Sequence, residues 1–150
     1  MPIAVFAMLV FGICTLLAAG TVEAVMREFA GEVGVSTWIF VVVPALFSML
    51  LALLLYRKAV TEISGIKQSL SRAVAAAIFT WLAVSIYISV LWCPGYRMAS
   101  CARDVALVTG IIGGGPLLIA AIIAGAIIGV VLKRRVEWLS YRGAPRKIVE

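Results

Sequence analysis

Apolar residues dominate four long stretches of the chain, and short polar or charged segments separate these stretches. The stretches run over residues 2–22, 38–56, 73–92 and 105–132. Each is about the length that an α-helix needs to cross a hydrocarbon core of ~30 Å. The pattern therefore predicts an all-α integral membrane protein, in which four transmembrane helices form one bundle comprising residues 1–150.

The first stretch is either a retained helix or a cleaved signal peptide. Residues 17–20 (LAAG) have the small side chains of a cleavage site, but no basic residue precedes the stretch, as a signal peptide requires. We therefore expect a retained span. The polar residues 23–37 that follow keep helical spacing, with Glu23 and Arg27 as an i,i+4 pair. They predict a short helix at the membrane surface, or otherwise a solvated connector.

The fourth stretch is rich in glycine and longer than one crossing requires. The sequence Gly113–Pro116 (GGGP) predicts a kink or local unwinding within the helix. Small residues recur along this stretch at helical spacing, and we call them the glycine ladder: Gly110, Gly114, Ala121, Gly125 and Gly129. Such residues let two helix backbones approach closely, so the ladder predicts a packing face for a helix of this chain or of another subunit. The alternative is that the glycine carbonyl oxygens bind an ion, but Thr109 is the only polar side chain near them in the sequence.

The third stretch carries Trp81, Ser85 and Ser89 at steps of four residues. Trp81 lies in the middle of the stretch, whereas tryptophan is usually found at the membrane interface. This face is therefore predicted to pack inward, with its hydroxyls bonded to a neighbouring helix. A substrate path lined by Thr80, Ser85 and Ser89 is the alternative.

The charges predict an orientation. The segment 57–72 and the tail 133–150 hold ten lysine and arginine residues, and the other two connections hold three. Because basic residues favour the cytoplasmic side, both termini are expected there, in the plasma or inner membrane. The net charge of +6 then reflects contact of the basic loop and tail with anionic lipid headgroups, not binding of nucleic acid.

The same orientation places Cys93 and Cys101 outside the cell, where disulfides persist. A turn at Pro94–Gly95 would bring the two residues together, so we predict a disulfide and a free thiol at Cys14. A redox-active pair is the alternative, but the spacing of these cysteines is not the Cys-x-x-Cys spacing of thiol oxidases.

The residue types present argue against catalysis. Hydrophobic residues make up 64% of the chain, histidine is absent, and no Asp or Glu falls within the four stretches. The sequence therefore predicts no enzyme, metal site or cofactor. Its features favour a non-enzymatic accessory or assembly subunit of a larger membrane complex, or a homo-oligomer. The alternative is a small oligomeric channel or uncoupled carrier lined by the hydroxyl face of the third stretch.

Overall fold

The protein's architecture was obtained as a computed structural model, which describes residues 3–30, 37–57, 66–93 and 98–143. These residues form α1 (Ile3–Ala30), α2 (Thr37–Tyr56), α3 (Ile66–Trp92), α4 (Met98–Thr109), a π-helical turn (Gly110–Gly114) and α5 (Gly115–Gly143). Four segments within them are long and apolar enough to span a membrane: Ile3–Glu28, Ile39–Tyr56, Ile66–Trp92 and Ala99–Arg134. The predicted all-α, four-span membrane bundle is confirmed.

The helices extend further than the apolar stretches. The sequence suggested that residues 57–72 form a basic loop, but α3 already begins at Ile66. Lys67 and Arg72 therefore belong to that helix. Likewise α4 begins at Met98, so Cys101 is helical. A helix satisfies its own backbone hydrogen bonds, so it need not end where the hydrocarbon core ends.

The region after the first span is also helical at its start. Helix α1 continues without a break to Ala30. At the other terminus, α5 carries the first part of the basic tail as helix to Gly143. The expected turn at Pro94–Gly95 and the ends of the two polar segments, residues 31–36 and 144–150, lie outside the described residues.

The four spans surround one core. Helix α1 packs against α2 and α5, while α3 packs against α2, α4 and α5. We call the end of the bundle near Tyr56 the tyrosine end, and the end near Cys93 the disulfide end. Most of the buried apolar side chains of the core lie towards the tyrosine end: Ile3, Ala7, Phe11, Ala52, Tyr56, Ala73, Ala124, Ile128 and Leu132. This half of the bundle is closely packed.

The fourth span is interrupted by the π-helical turn that precedes Pro116. Proline has no backbone N–H, and its ring crowds the carbonyl four residues earlier, which belongs to Ile112. The wider π-helical turn accommodates this defect without unwinding the chain. The break predicted from Gly113–Pro116 thus takes the form of a helical bulge in a continuous helix.

A cluster of hydroxyl groups joins three helices at the tyrosine end. The fully buried Tyr56 of α2 donates from Oη to the carbonyl oxygen of Ser69 in α3 at 3.0 Å. Ser69 Oγ in turn donates to the carbonyl oxygen of Gly125 in α5 at 2.9 Å. Beside them, Arg72 Nη1 donates to the carbonyl oxygen of Leu55 at 2.9 Å. Side chains of α2 and α3 therefore bond to backbone groups of neighbouring helices, which opposes sliding of one helix along another.

Removing the Tyr56 hydroxyl should loosen this cluster. We expect Tyr56→Phe to lower the free energy of unfolding by about 0.6 kcal/mol, the usual value of one interhelical hydrogen bond in a membrane protein. Circular dichroism during SDS titration of mixed micelles would measure the change. Tyr87→Phe removes the hydroxyl of a half-buried tyrosine of α3 outside the cluster, and should have a smaller effect. Equal losses in the two variants would contradict a specific role for the Tyr56 hydroxyl.

Candidate binding cavity

The disulfide end contains a partly open cavity of about 900 Å³. Residues from all four spans line it, and most of them are apolar. The lining comprises Thr15, Ala18, Ala19, Val22, Glu23, Met26, Arg27, Phe40, Pro44, Trp81, Val84, Ile88, Trp92, Ser100, Cys101, Asp104, Val105, Val108, Thr109, Ile112, Gly113, Pro116 and Leu117. The bundle is thus open at one end and packed at the other.

Small side chains and the π-helical turn help to explain the open space. Ala18 and Ala19 of α1 fill little volume, and Gly113 of the neighbouring π-helical turn has no side chain. Pro116 also lines the cavity. Because proline has no backbone N–H, the chain is not a regular α-helix at this point. Towards the tyrosine end, Thr15 Oγ1 donates to Ser48 Oγ at 2.8 Å, which ties α1 to α2 at the bottom of the cavity.

Charged side chains line the cavity towards the disulfide end. Glu23 and Arg27 of α1 form an ion pair with Nε and Oε1 2.9 Å apart, in which the arginine side chain is 59% exposed and the glutamate side chain 20%. Asp104 lies on the α4 side. Phe40 and Trp92 meet edge to face, with their ring centroids 5.8 Å apart. An amphipathic molecule could therefore keep a polar end near these charges and its apolar body among the apolar lining residues.

Among the described residues, Trp81 is the one with a buried side-chain polar atom that has no hydrogen-bond partner. Its Nε1 is buried and makes no hydrogen bond to any described residue. The indole lies against Gly110, where an added Cβ would be 3.4 Å from Cζ2 and 3.6 Å from Nε1. A buried N–H without an acceptor carries a free-energy cost of roughly 1–3 kcal/mol. The sequence singled out Trp81 as a packing residue, and the structure also places it in the cavity wall.

The serine hydroxyls of α3 are satisfied within the chain. Ser85 Oγ and Thr109 Oγ1 lie 2.9 Å apart, and Ser89 Oγ donates to the carbonyl oxygen of Ser85 at 2.6 Å. Thr80, Ser85 and Ser89 are all buried. The hydroxyl face of the third span thus meets α4 of the same chain, and it is not available on the outer surface of the bundle.

The structure brings most of the glycine ladder against α3. A Cβ at Gly125 would lie 2.5 Å from Ala73 Cβ, and one at Gly129 would lie 3.3 Å from Ile66 Cα. Ala121 is buried in the core, and Gly110 contacts Trp81 as described. Much of the predicted packing face is therefore covered by a helix of this chain.

Gly114 is the member of the ladder that no other described helix covers. A Cβ there would meet no described atom within 4 Å. Both Gly110 and Gly114 lie in the π-helical turn. Whether Gly114 packs against a helix of another subunit stays a prediction.

Cys93 and Cys101 are joined as a disulfide, with their Cα atoms 5.8 Å apart. The bond connects the end of α3 to the first half of α4, and Cys101 itself lies in the cavity wall. Cys14 is a free, half-buried thiol on α1. The disulfide therefore holds α4 in position as one wall of the cavity.

Sequence reasoning missed the cavity and the buried hydroxyl groups of Thr15, Ser48 and Tyr56. Each of these is a polar side chain within a mainly apolar stretch, and this was the available signal that they bond inside the bundle. Among the described residues no group of three or more His, Cys, Asp or Glu side chains could hold a metal ion. Comparisons of the chain with protein-family models, curated proteins and solved structures found no match.

Proposed function

We propose that this protein is a non-enzymatic, multi-pass membrane protein that binds a small apolar or amphipathic molecule in the disulfide-end cavity. The observation that carries the proposal is the cavity itself, because its volume of about 900 Å³ falls in the range of roughly 300–1,000 Å³ that small-molecule sites occupy. Its mostly apolar lining, with charged residues towards the disulfide end, suits a molecule that partitions into membranes.

The volume favours a small molecule over an inserted helix of a partner protein. Along α1 the lining runs from Thr15 to Arg27, which is about 18 Å at 1.5 Å per residue. A transmembrane helix needs about 30 Å. An inserted partner helix would therefore be longer than the cavity.

The two functions predicted from the sequence, an assembly subunit and a channel, stay predictions. The structure affects them differently. An assembly subunit would have to use a surface other than Gly110, Gly125 and Gly129, because α3 covers these residues. A channel lined by Thr80, Ser85 and Ser89 is disfavoured, because those hydroxyls are buried and two of them bond inside the chain. The packed tyrosine end also weighs against a pore along the bundle axis.

We further propose that the cavity opens on the outer side of the plasma or inner membrane, with both termini in the cytoplasm. The basic residues at the tyrosine end favour that side for the cytoplasm. A disulfide at the opposite end fits an oxidising compartment. The ligand would then be one that reaches the outer leaflet.

Photolabelling with dodecyl diazirine in lipid nanodiscs would test the proposed binding. We expect labelling of cavity residues such as Ala19, Val84 and Leu117 to saturate and to be competed by excess dodecane. Ala19→Phe should reduce this labelling about ten-fold, because the phenyl ring would project into the cavity. Labelling of the exposed Leu17 and Ile86 should instead rise in proportion to the probe.

Leu17→Phe is the matched control, since it places the same ring on the lipid-facing side of α1. This variant should leave cavity labelling unchanged. A thermal unfolding curve for each variant would separate a filled cavity from a misfolded bundle. If cavity residues label without saturation, or equally in Ala19→Phe and Leu17→Phe, the proposed binding function is wrong.

A further inference from the structure

Resting on the proposed function, we infer that the cavity opens sideways into the membrane between α1 and α4, and that its ligand is a phospholipid which inserts one acyl chain through this opening. The spans surround one core, so each side of the cavity is formed by two neighbouring helices. Contacts among the described residues close three of these sides. The side between α1 and α4 has no comparable contact.

The three closed sides are held by specific contacts. Helix α1 packs along α2. Between α2 and α3, the rings of Phe40 and Trp92 meet with their centroids 5.8 Å apart. Between α3 and α4, the disulfide joins the two helices, and Ser85 Oγ lies 2.9 Å from Thr109 Oγ1. A molecule could pass through these sides only by disrupting such contacts.

The side between α1 and α4 is different, and we call it the lateral opening. Helix α1 packs against α5 towards the tyrosine end, but in the described part of the chain it does not pack closely against α4. Both helices nevertheless line the cavity, α1 with Met26 and α4 with Val108. These two side chains are 37% and 54% exposed. A side chain that lines the cavity and is also exposed lies where the cavity meets the outer surface of the bundle.

The lateral opening faces hydrocarbon. Met26 and Val108 belong to helical segments that are long and apolar enough to span a membrane. Their neighbours Val25 and Leu107 do not line the cavity, and they are 55% and 57% exposed on the outer surface. Apolar side chains on the outside of a spanning helix contact lipid tails, which are equally apolar. The molecules that surround the opening are therefore the lipids of the adjacent leaflet.

The lining of the cavity matches the polarity of one leaflet. Glu23, Arg27 and Asp104 lie towards the disulfide end, and the apolar Leu117 lies deeper. A phospholipid has the same order, with its head group at the membrane surface and its acyl chains towards the centre. The lining along α1, from Thr15 to Arg27, is about 18 Å long. Half of a hydrocarbon core of ~30 Å is of similar depth.

Lateral entry also avoids two unfavourable steps. An acyl chain that passes from the bilayer into an apolar cavity exposes no apolar surface to water, whereas entry from the aqueous side would do so. The charged head group need not cross hydrocarbon, because it stays at the level of Glu23 and Asp104. The second acyl chain can remain in the bilayer outside the lateral opening.

Photolabelling with a lipid probe tests this inference. The probe is a phosphatidylcholine that carries a diazirine near the end of one acyl chain, added in trace amount to lipid nanodiscs. We expect it to label Ala19 and Leu117 in the cavity as well as the lipid-facing Leu17. Excess dodecane should reduce the labelling of Ala19 and Leu117 and leave that of Leu17 unchanged.

Tryptophan substitutions at two adjacent positions of α4 locate the entrance. Val108→Trp places a large ring at the lateral opening and should reduce labelling of Ala19 by the lipid about ten-fold. Labelling by dodecyl diazirine should fall less, because this probe has no second chain that must stay outside. Leu107→Trp places the same ring on the lipid-facing surface and should leave both labelling patterns unchanged. Thermal unfolding curves would verify that both variants are folded.

The outcomes separate this inference from the proposed function. If dodecyl diazirine labels the cavity saturably but the lipid probe labels only Leu17, the cavity binds small molecules and does not admit an acyl chain from the side. Equal labelling by the lipid in Val108→Trp and Leu107→Trp would also contradict an entrance between α1 and α4. If neither probe labels the cavity, the proposed binding function fails, and the inference fails with it.

Discussion

Replacing Gly125 with leucine is expected to lower the free energy of unfolding by about 3 kcal/mol, the upper part of the usual range for overpacking a core. A Cβ at this position would lie 2.5 Å from Ala73 Cβ and 3.4 Å from the carbonyl oxygen of Ser69. Since Ser69 O and the nearby Leu70 Cα belong to the backbone of α3, no change of rotamer can make room. The two helices would have to separate.

Separation of α3 from α5 would also break a hydrogen bond. Ser69 Oγ donates to the Gly125 carbonyl oxygen at 2.9 Å, and Tyr56 Oη bonds to Ser69. The damage from one added side chain thus extends through α3 to α2. Circular dichroism during SDS titration would measure the loss, and the same titration would show whether the remaining transition is still cooperative.

Gly115→Leu is the matched control, because it adds the same side chain to the same helix. Gly115 is exposed, and a Cβ there meets no described atom within 4 Å. We expect its free energy of unfolding to change by no more than about 0.5 kcal/mol. Leu118→Gly, at a position that is 40% exposed, should cost only about 1 kcal/mol of helix propensity. Equal stability of Gly125→Leu and Gly115→Leu would rule out a closely packed seam.

The close approach at Gly125 and Gly129 could be predicted from the sequence, but its partner could not. Four-residue spacing of small residues identifies one face of a helix, because residues i and i+4 lie above one another. It carries no information about which helix covers that face. Ala73 and Ser69 of α3 face Gly125. Ser69 lies in the segment 57–72, which the sequence pattern predicts to be a loop.

The position of the interruption at Gly113–Pro116 could likewise be predicted from the sequence, but its conformation could not. A missing N–H can be accommodated by a kink, by local unwinding or by a π-helical turn, and the sequence is compatible with each of them. In the π-helical turn that forms, Gly110 lies beside Trp81 and Gly114 has no described neighbour.

The cavity could not be predicted from the sequence, because the same residue types line a cavity in one place and pack closely in another. Ala76 and Ala77 are buried in close packing, with exposed fractions of 1% and 5%, while Ala18 and Ala19 line the cavity. Both pairs are adjacent alanines in an apolar stretch. Whether an alanine packs or leaves room depends on the distance between helices, which here follows from the positions of α4 and the π-helical turn.

The disulfide joins α4 to the end of α3, so the second large effect is expected from its removal. The double substitution Cys93→Ser and Cys101→Ser should lower the free energy of unfolding by up to about 2.5 kcal/mol, the loop-closure entropy of a short cross-linked loop. The two cysteines are separated by eight positions in the sequence. Without the bond, the start of α4 is released from the end of α3.

Chemical denaturation in bicelles would measure this loss, with Cys14→Ser as the control. Cys14 is a free thiol on α1, far from the cross-link in sequence, and serine there should change stability by less than about 1 kcal/mol. Alkylation of the unfolded, unreduced wild type supplies a second measurement. Cys14 alone should be modified before reduction and all three cysteines after it. Modification of three cysteines without reduction would show that the bond does not form.

Loss of the disulfide should also change the cavity. Cys101, Val105 and Val108 line it from α4, so a released α4 would leave the cavity without one wall. We therefore expect saturable labelling by dodecyl diazirine to fall in the double variant, while labelling of the lipid-facing Leu17 stays constant. If stability falls and saturable labelling persists, the disulfide stabilises the bundle without shaping the site. If both fall together, the disulfide maintains the cavity by holding α4 against α3.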